Sequence, residues 1–254
     1  MGLRRYFKNF LYKKKYNLKD LEPKKIINQN ILITGANSGI GFSLTKKLVN
    51  FNNNVFATYN NNKENLLKIK NVNLKIIKCN QENFTEIDLI NDHLDNSPIN
   101  LIINNVGIWG PQNQDSIENI NYEDFKNTIM VNALSVLKIT ETILKNSKKD
   151  SLKTILNISS SGGSIAKNDM GNAYIYRTSK SALNSITKNM SVDLKRKNNI
   201  NVFCVDPGNV KTKMNSKGIL DPDICANNLI NILETSGEEI NGKFIDLQKN
   251  EISW

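Results

Sequence analysis

From residue 30 onward the chain repeats one unit, a short β-branched apolar run followed by a longer stretch with helical periodicity. The runs are "NILITG" (30–35), "NVFATY" (54–59), "LKIIKC" (74–79), "NLIINNVG" (100–107), "KTILNISS" (153–160), "NVFCVDPG" (201–208) and "KFIDLQ" (243–248). Helical stretches fall near 40–50, 63–70, 84–95, 121–147, 173–197 and 222–235. Strands this apolar have no solvent face, so they belong to a sheet covered on both sides, and alternation with helices makes that sheet parallel. Right-handed crossovers then give an α/β fold with a doubly wound seven-stranded parallel sheet and helices on both faces. Ligands of such sheets bind at the carboxyl ends of the strands. No linker, repeat or low-complexity tract interrupts residues 30–254, which read as one domain.

The 254 residues suffice for one large core. The formal net charge of +10 comes from lysines spread along the whole chain, and asparagine makes up about one residue in six. Such a joint excess reads as compositional bias of the coding sequence, not as a nucleic-acid surface, so no nucleic-acid partner is expected. Cys79, Cys204 and Cys225 are odd in number and lack a CxxC spacing, which suits reduced thiols and a cytoplasmic location. His93 is the sole histidine, which excludes two-histidine metal sites, so no metal is expected. It lies in "EIDLINDHLDNS", a surface helix with Leu89 and Ile90 expected to face inward.

Residues 1–29 form a basic N-terminal extension. Leu3, Phe7, Phe10 and Leu11 recur at helical spacing among Arg4, Arg5, Lys8 and Lys13 to Lys15. Two readings stand together: an amphipathic helix for an anionic membrane surface or for targeting, or an arm packed on its own domain. Tyr6 replaces the Ser or Thr of a myristoylation signal, so lipidation is rejected.

"TGANSGIG" puts Gly35, Gly39 and Gly41 between the first strand and the first helix. Glycine lets the backbone turn sharply and lets a pyrophosphate approach main-chain N–H groups, and the helix N-terminus favours that anion. A dinucleotide site of Rossmann type is therefore expected, with Asn37, Ser38 and Ile40 completing the turn. In "AYIYRTSKSAL", Tyr176 and Lys180 are four apart and share a helix face.

"TGANSGIG", "NNVG" (104–107), "YRTSK" (176–180) and "DPGNVKTKM" (206–214), in this order, resemble the short-chain dehydrogenase/reductase family. "ISSSGGSI" and the closing "NGKFIDLQKNEISW" further resemble its C-factor-like and sniffer-like carbonyl reductases. The resemblance implies hydride transfer between a nicotinamide and a carbonyl or secondary alcohol. Tyr176 becomes the general acid or base, its high phenol pKa brought down by the Lys180 ammonium one turn away. Lys180 is also expected to hold the nicotinamide ribose, and Ser160 the substrate oxygen. Asn132 is expected to position a water that links the lysine to solvent. Asn105, Val106 and Gly107, with valine where the family has alanine, are expected on the cofactor. Pro207 and Gly208 turn the chain beneath the nicotinamide, while Val210 and Thr212 hold its carboxamide. Asn209 stands where this subgroup often has tryptophan.

At the end of the second strand Tyr59 and Asn60 replace the acid that selects NAD, while the arginine of related reductases is also missing. NADP(H) is favoured and NAD stays open, with Lys63 within reach of a 2′-phosphate. Adenine contacts are expected from Asn80 and the backbone at Gln81. Ile108, Trp109 and the segment 213–222 are expected to shape a partly apolar carbonyl pocket. An epimerase or dehydratase shares the Tyr-Lys pair, but little chain remains after residue 214 for its substrate domain. The reading from another class is a non-catalytic nucleotide-sensing or membrane-associated binding protein. Relatives commonly pair through two long helices, so a homodimer or homotetramer is expected. If the basic arm is a membrane anchor, deleting residues 1–29 abolishes co-sedimentation with anionic liposomes; equal sedimentation of both forms removes the membrane role.

Overall fold

The computed structural model describes residues 26–111, 116–146 and 151–254. Its strands are β1 (Asn30–Ile33), β2 (Asn54–Tyr59), β3 (Leu74–Lys78), β4 (Leu101–Asn104), β5 (Thr154–Ile158), β6 (Asn201–Val205) and β7 (Phe244–Ile245). They form one parallel sheet in the order β3-β2-β1-β4-β5-β6-β7. The order reverses between β1 and β4, and a doubly wound sheet opens its ligand crevice at that switch point. The helices are α1 (Gly39–Leu48), α2 (Glu64–Leu67), α3 (Phe84–Asp88), α4 (Tyr122–Ile129), α5 (Ser135–Asn146), α6 (Tyr174–Asn198) and α7 (Pro222–Thr235).

Both faces of the sheet are dry. Ile31 and Ile33 of β1 pack with Leu44 and Leu48 of α1 and with Leu229 and Ile230 of α7. Leu32, between them, points to the other face and packs with Val136 and Ile139 of α5 and Leu183 of α6. This period-two split explains why the strand carries no polar alternation. Helix starts follow local chemistry. The Asn121 side chain accepts from the Glu123 and Asp124 N–H groups, and Asp221 caps α7, where proline occupies the first turn.

Several expected boundaries shift. The helix expected over 121–147 is broken by a π-helical turn, Met130–Leu134, between α4 and α5. The stretch 84–95 is one short α-helix continued as a 3₁₀ turn over Leu89–His93. The tighter winding puts Ile87 and Ile90 inside and leaves Leu89 half exposed, so Leu89 does not face inward as expected. The strands expected over 201–208 and 243–248 end at Val205 and Ile245, because the chain must leave the sheet to build turns. Residues 26–29 lie against the folded body: Asn53 donates to the Ile26 carbonyl and accepts from the Gln29 N–H. The amphipathic positions Leu3, Phe7, Phe10 and Leu11 lie outside the described residues, as do 112–115 of the loop after β4. No helix among the described residues is long and apolar enough to cross a membrane.

Gly41 shows how closely α1 is pressed to the sheet. A Cβ there would sit 2.4 Å from the Gly35 carbonyl oxygen and 2.5 Å from the Asn105 side-chain nitrogen, atoms that cannot yield cheaply. Gly171 has a left-handed φ of +62° but nothing within 4 Å. Gly41→Ala is expected to destabilise the fold by about 3 kcal/mol, the upper range for overpacking. Gly171→Ala carries backbone strain alone and is expected to cost about 1 kcal/mol. Urea denaturation of both variants checks the ranking, and equal midpoints would refute it.

Candidate active site

The strand ends and the turns that follow them enclose a crevice of about 550 Å³. At its floor, Gly35 (φ +60°) and Gly39 (φ +54°) take left-handed backbone that other residues rarely adopt. A Cβ on Gly35 would meet the Val106 side chain at 2.7 Å, and one on Gly39 would meet Thr212 at 2.9 Å. Ser38 precedes α1 and makes no side-chain cap bond, which leaves the first-turn N–H groups directed at the crevice. Asn37 and Ile40 line the same wall. Gly41 does not line the crevice; it serves the helix packing just described.

Thr34 joins the first turn to the loop after β4. Its hydroxyl accepts from the Asn105 and Val106 N–H groups at 3.0 and 3.1 Å. The Asn105 amide donates back to the carbonyls of Thr34 and Gly35. Asn105 therefore spends its side chain on the scaffold, although it lines the crevice with Val106 and Gly107. At the far end stand Tyr59, Asn60, Asn80 and Gln81, with Asn60 donating to Asn80 at 3.3 Å. The Gln81 side chain turns inward to accept from Ser135, which leaves its backbone for the crevice. Lys63 is not on the crevice wall, whereas Lys213 is.

At the other end Tyr176 and Lys180 project from α6, both nearly fully buried. The Tyr176 ring and the Ser160 hydroxyl both stand against Gly162, whose N–H donates to the Ser160 oxygen at 3.1 Å. Among the three adjacent serines the other two are placed differently. Ser159 donates to Asn184 at 2.6 Å, and Ser161 is exposed at the start of the 3₁₀ turn that follows β5. Lys180 donates to the Ile158 carbonyl at 2.9 Å, with its nitrogen 5.9 Å from the centre of the Tyr176 ring. Pro207, Gly208, Val210 and Thr212 close the wall below. Trp109 stacks on the Tyr176 ring at 4.1 Å between centroids and 18° between planes. The sequence places Trp109 among the residues that shape the substrate pocket, but no local signal pairs it with the tyrosine.

Asn132 is fully buried in the π turn and is not on the crevice wall. Its amide accepts from the Ile108 N–H and donates to the Ile108 carbonyl, both at 2.8 Å, and donates to Ser179 at 2.9 Å. The residue thus clamps the loop after β4 to α6. A Cβ on Gly107 would lie 3.4 Å from the Lys180 nitrogen and 3.6 Å from the Asn132 oxygen, so the two side chains share one neighbourhood.

The charges differ from the sequence expectation. Burial pushes the Tyr176 phenol up to about 12, against the pull of the nearby Ser160 hydroxyl and with the Asp206 carboxylate adding to the rise. Withdrawal of the phenol from water, not the expected depression by Lys180, sets the direction. Burial also brings the Lys180 ammonium down to about 8. Asp206, another residue that sequence reasoning passed over, is pushed above the ordinary carboxylate range by burial.

The arrangement fits a dinucleotide on its own geometry. An uncapped helix N-terminus beside two left-handed glycines suits a pyrophosphate, and the side groups at both ends leave room for the two nucleosides. No cluster of three His, Cys, Asp or Glu that could hold a metal occurs among the described residues.

Known proteins agree with this architecture. The C-signal protein of Myxococcus xanthus is 31% identical over 158 residues, covering 62% of this chain and 93% of its own length. The 5-keto-D-gluconate 5-reductase of Escherichia coli (strain K12) is 27% identical over 203 residues, or 74% of each chain. The carbonyl reductase Sniffer of D. melanogaster superposes with a TM-score of 0.78 at 29% identity, over 89% of this chain and 99% of its own. The NADPH-bound carbonyl reductase from chicken fatty liver superposes with a TM-score of 0.79 at 28% identity, over 90% and 100%. The family model described as short chain dehydrogenase matches residues 29–221, and on that span the chain belongs to the short chain dehydrogenase family.

Proposed function

We propose that the protein is an NADP(H)-dependent carbonyl reductase, working in the reverse direction as an alcohol dehydrogenase. The observation that carries this reading is that Tyr176, Ser160 and a buried Lys180 line one end of a crevice whose floor suits a pyrophosphate. A bound nicotinamide supplies the hydride and, once oxidised, a positive ring charge.

The residues do the rest. Ser160 and Tyr176 hold the carbonyl oxygen between two hydroxyls and polarise it. As the carbon accepts the hydride, the oxygen takes the Tyr176 proton, so the products are an alcohol and a phenolate. Lys180, fixed by the Ile158 carbonyl, stabilises that phenolate until a proton returns. Asn132 acts from behind by holding the Ile108 loop and Ser179 in place, so it is a positioning residue. In alcohol oxidation the same atoms run backwards, with the phenolate as base. Trp109, Ile108 and Met214 give the carbonyl pocket an apolar wall, which supports a partly apolar substrate.

The cofactor preference rests on Tyr59 and Asn60 in place of an acid at the ribose end, and on the NADPH carried by the chicken reductase. A homodimer or homotetramer is the oligomeric state that goes with this reading.

Tyr176→Phe is expected to lower kcat for carbonyl reduction by about 10²–10⁴-fold. The affinity for NADPH, followed by protein fluorescence, is expected to stay within about twofold, since the phenol oxygen is lost but the ring remains. Wild-type turnover in this variant removes the assignment. The value kcat/KM for NADPH reports the cofactor-free enzyme, in which the Lys180 ammonium loses its proton near 8. That parameter is expected to fall as pH rises through about 8, since Lys180 is charged below and neutral above, and a flat profile to pH 9.5 contradicts it. Steady-state comparison of the cofactors decides the last point, because a preference for NADH above about tenfold is incompatible with an NADP(H) enzyme.

A further inference from the structure

Asn184 stands on α6 one turn beyond Lys180, so Tyr176, Lys180 and Asn184 follow one another at intervals of four on one helix face. It is buried, does not line the crevice and takes no part in the steps above. Its amide oxygen accepts from the Ser159 hydroxyl at 2.6 Å and from the Cys204 thiol at 3.5 Å. Its amide nitrogen donates to the Gly163 carbonyl at 3.1 Å. The amide fits only this way round, since a flipped group would set its oxygen against that carbonyl.

Ser159 and Gly163 bracket the turn on which Ser160 sits. Within the turn the Gly163 N–H donates to the Ser160 carbonyl at 2.8 Å, and the Gly162 N–H donates to the Ser160 hydroxyl oxygen at 3.1 Å. Gly163 is pressed onto α6. A Cβ there would lie 2.8 Å from the Lys180 carbonyl carbon and 2.9 Å from the Asn184 amide nitrogen. The Ser181 hydroxyl gives the Gly163 carbonyl a second bond from the same helix, at 3.0 Å. A Cβ on Gly162 would lie 3.3 Å from the Ser160 oxygen and 3.6 Å from the Tyr176 ring, so serine and phenol meet across this turn. The residues on both sides of Ser160 are thus tied to one side chain, and that side chain shares its helix with the phenol and the ammonium.

We propose that Asn184 is the positioning residue of Ser160, an amide that fixes the serine's turn to α6 and so sets the spacing between the Ser160 and Tyr176 hydroxyls. The inference deepens the reductase reading and rests on it for its catalytic consequence. Removing the amide leaves the Ser159 hydroxyl without its acceptor and takes one of two donors from the Gly163 carbonyl, which frees the turn to shift.

A double-mutant cycle separates positioning of Ser160 from general support of the fold. Asn184→Ala is expected to lower kcat for carbonyl reduction by about 10–100-fold. KM for NADPH is expected to stay within about twofold, since no cofactor contact is lost. In a Ser160→Ala background the same substitution is expected to change kcat by less than about twofold, because the group it positions is gone. Equal losses in the two backgrounds overturn the proposal.

Amide hydrogen exchange, read by NMR on cofactor-free protein, gives a second measure that needs no turnover. Asn184→Ala is expected to speed exchange at Gly163 about tenfold and to leave Leu156, inside β5, within about twofold. Unchanged exchange at Gly163, or an equal rise at Leu156, overturns the proposal as well. Should Asn184→Ala fail to fold, Ser159→Ala removes one of the same bonds. It is expected to lower kcat about threefold in the native background and not at all with Ser160→Ala. A wild-type protein inert toward every carbonyl offered sinks the reductase reading and leaves the exchange rates to decide on the anchor. Additive losses in an active enzyme sink the anchor alone.

Discussion

A lysine ammonium withdrawn from water is a costly group in any fold, and the strand end beside it answers that cost with a carbonyl. Lys180 is 3% exposed and finds one carbonyl, that of Ile158, at 2.9 Å. An isolated buried charge sheds its proton unless something nearby favours it. β5 meets that requirement with the carbonyl, and the turn after β5 carries the serine that stands beside the neighbouring phenol.

The crevice keeps its shape through bonds that join loops distant in the chain. Thr34 and Asn105 staple the first turn to the loop after β4. Asn132 staples that same loop to α6, which bears Tyr176 and Lys180. The π turn that carries Asn132 widens the helix by one residue, and such turns recur where a helix must aim a side chain instead of simply packing it. A dinucleotide lying across these stapled loops would contact parts whose spacing is already set, so little ordering cost attends its binding.

Much of this was legible in the residues, for definable reasons. Unbroken apolar strands reported a sheet covered on both faces because such strands have nowhere to put a polar side chain. Gly35 and Gly39 reported a turn because left-handed backbone is costly for any other residue. The offset of four between Tyr176 and Lys180 reported a shared helix face. Legibility failed where periodicity changed mid-element. α-Helical winding would turn Leu89 inward, but the chain there winds at three residues per turn and carries the side chain outward. The break at Met130–Leu134 is hidden for a similar reason, since apolar spacing tolerates one added residue.

Local rules sufficed for the alternation of elements, the glycine turn that opens toward an anion, and the tyrosine and lysine on one helical face. They act over a few residues and leave their mark in composition and spacing. Tertiary structure alone decided that Trp109 stacks on the phenol ring and that Asn132 and Asn105 serve the scaffold. It also reversed the expected sign at Tyr176, whose proton is held more tightly than in water. The reason is that desolvation and charge pairing depend on what the winding of the sheet brings to one place, and residues far apart in the chain carry no local trace of their eventual neighbours.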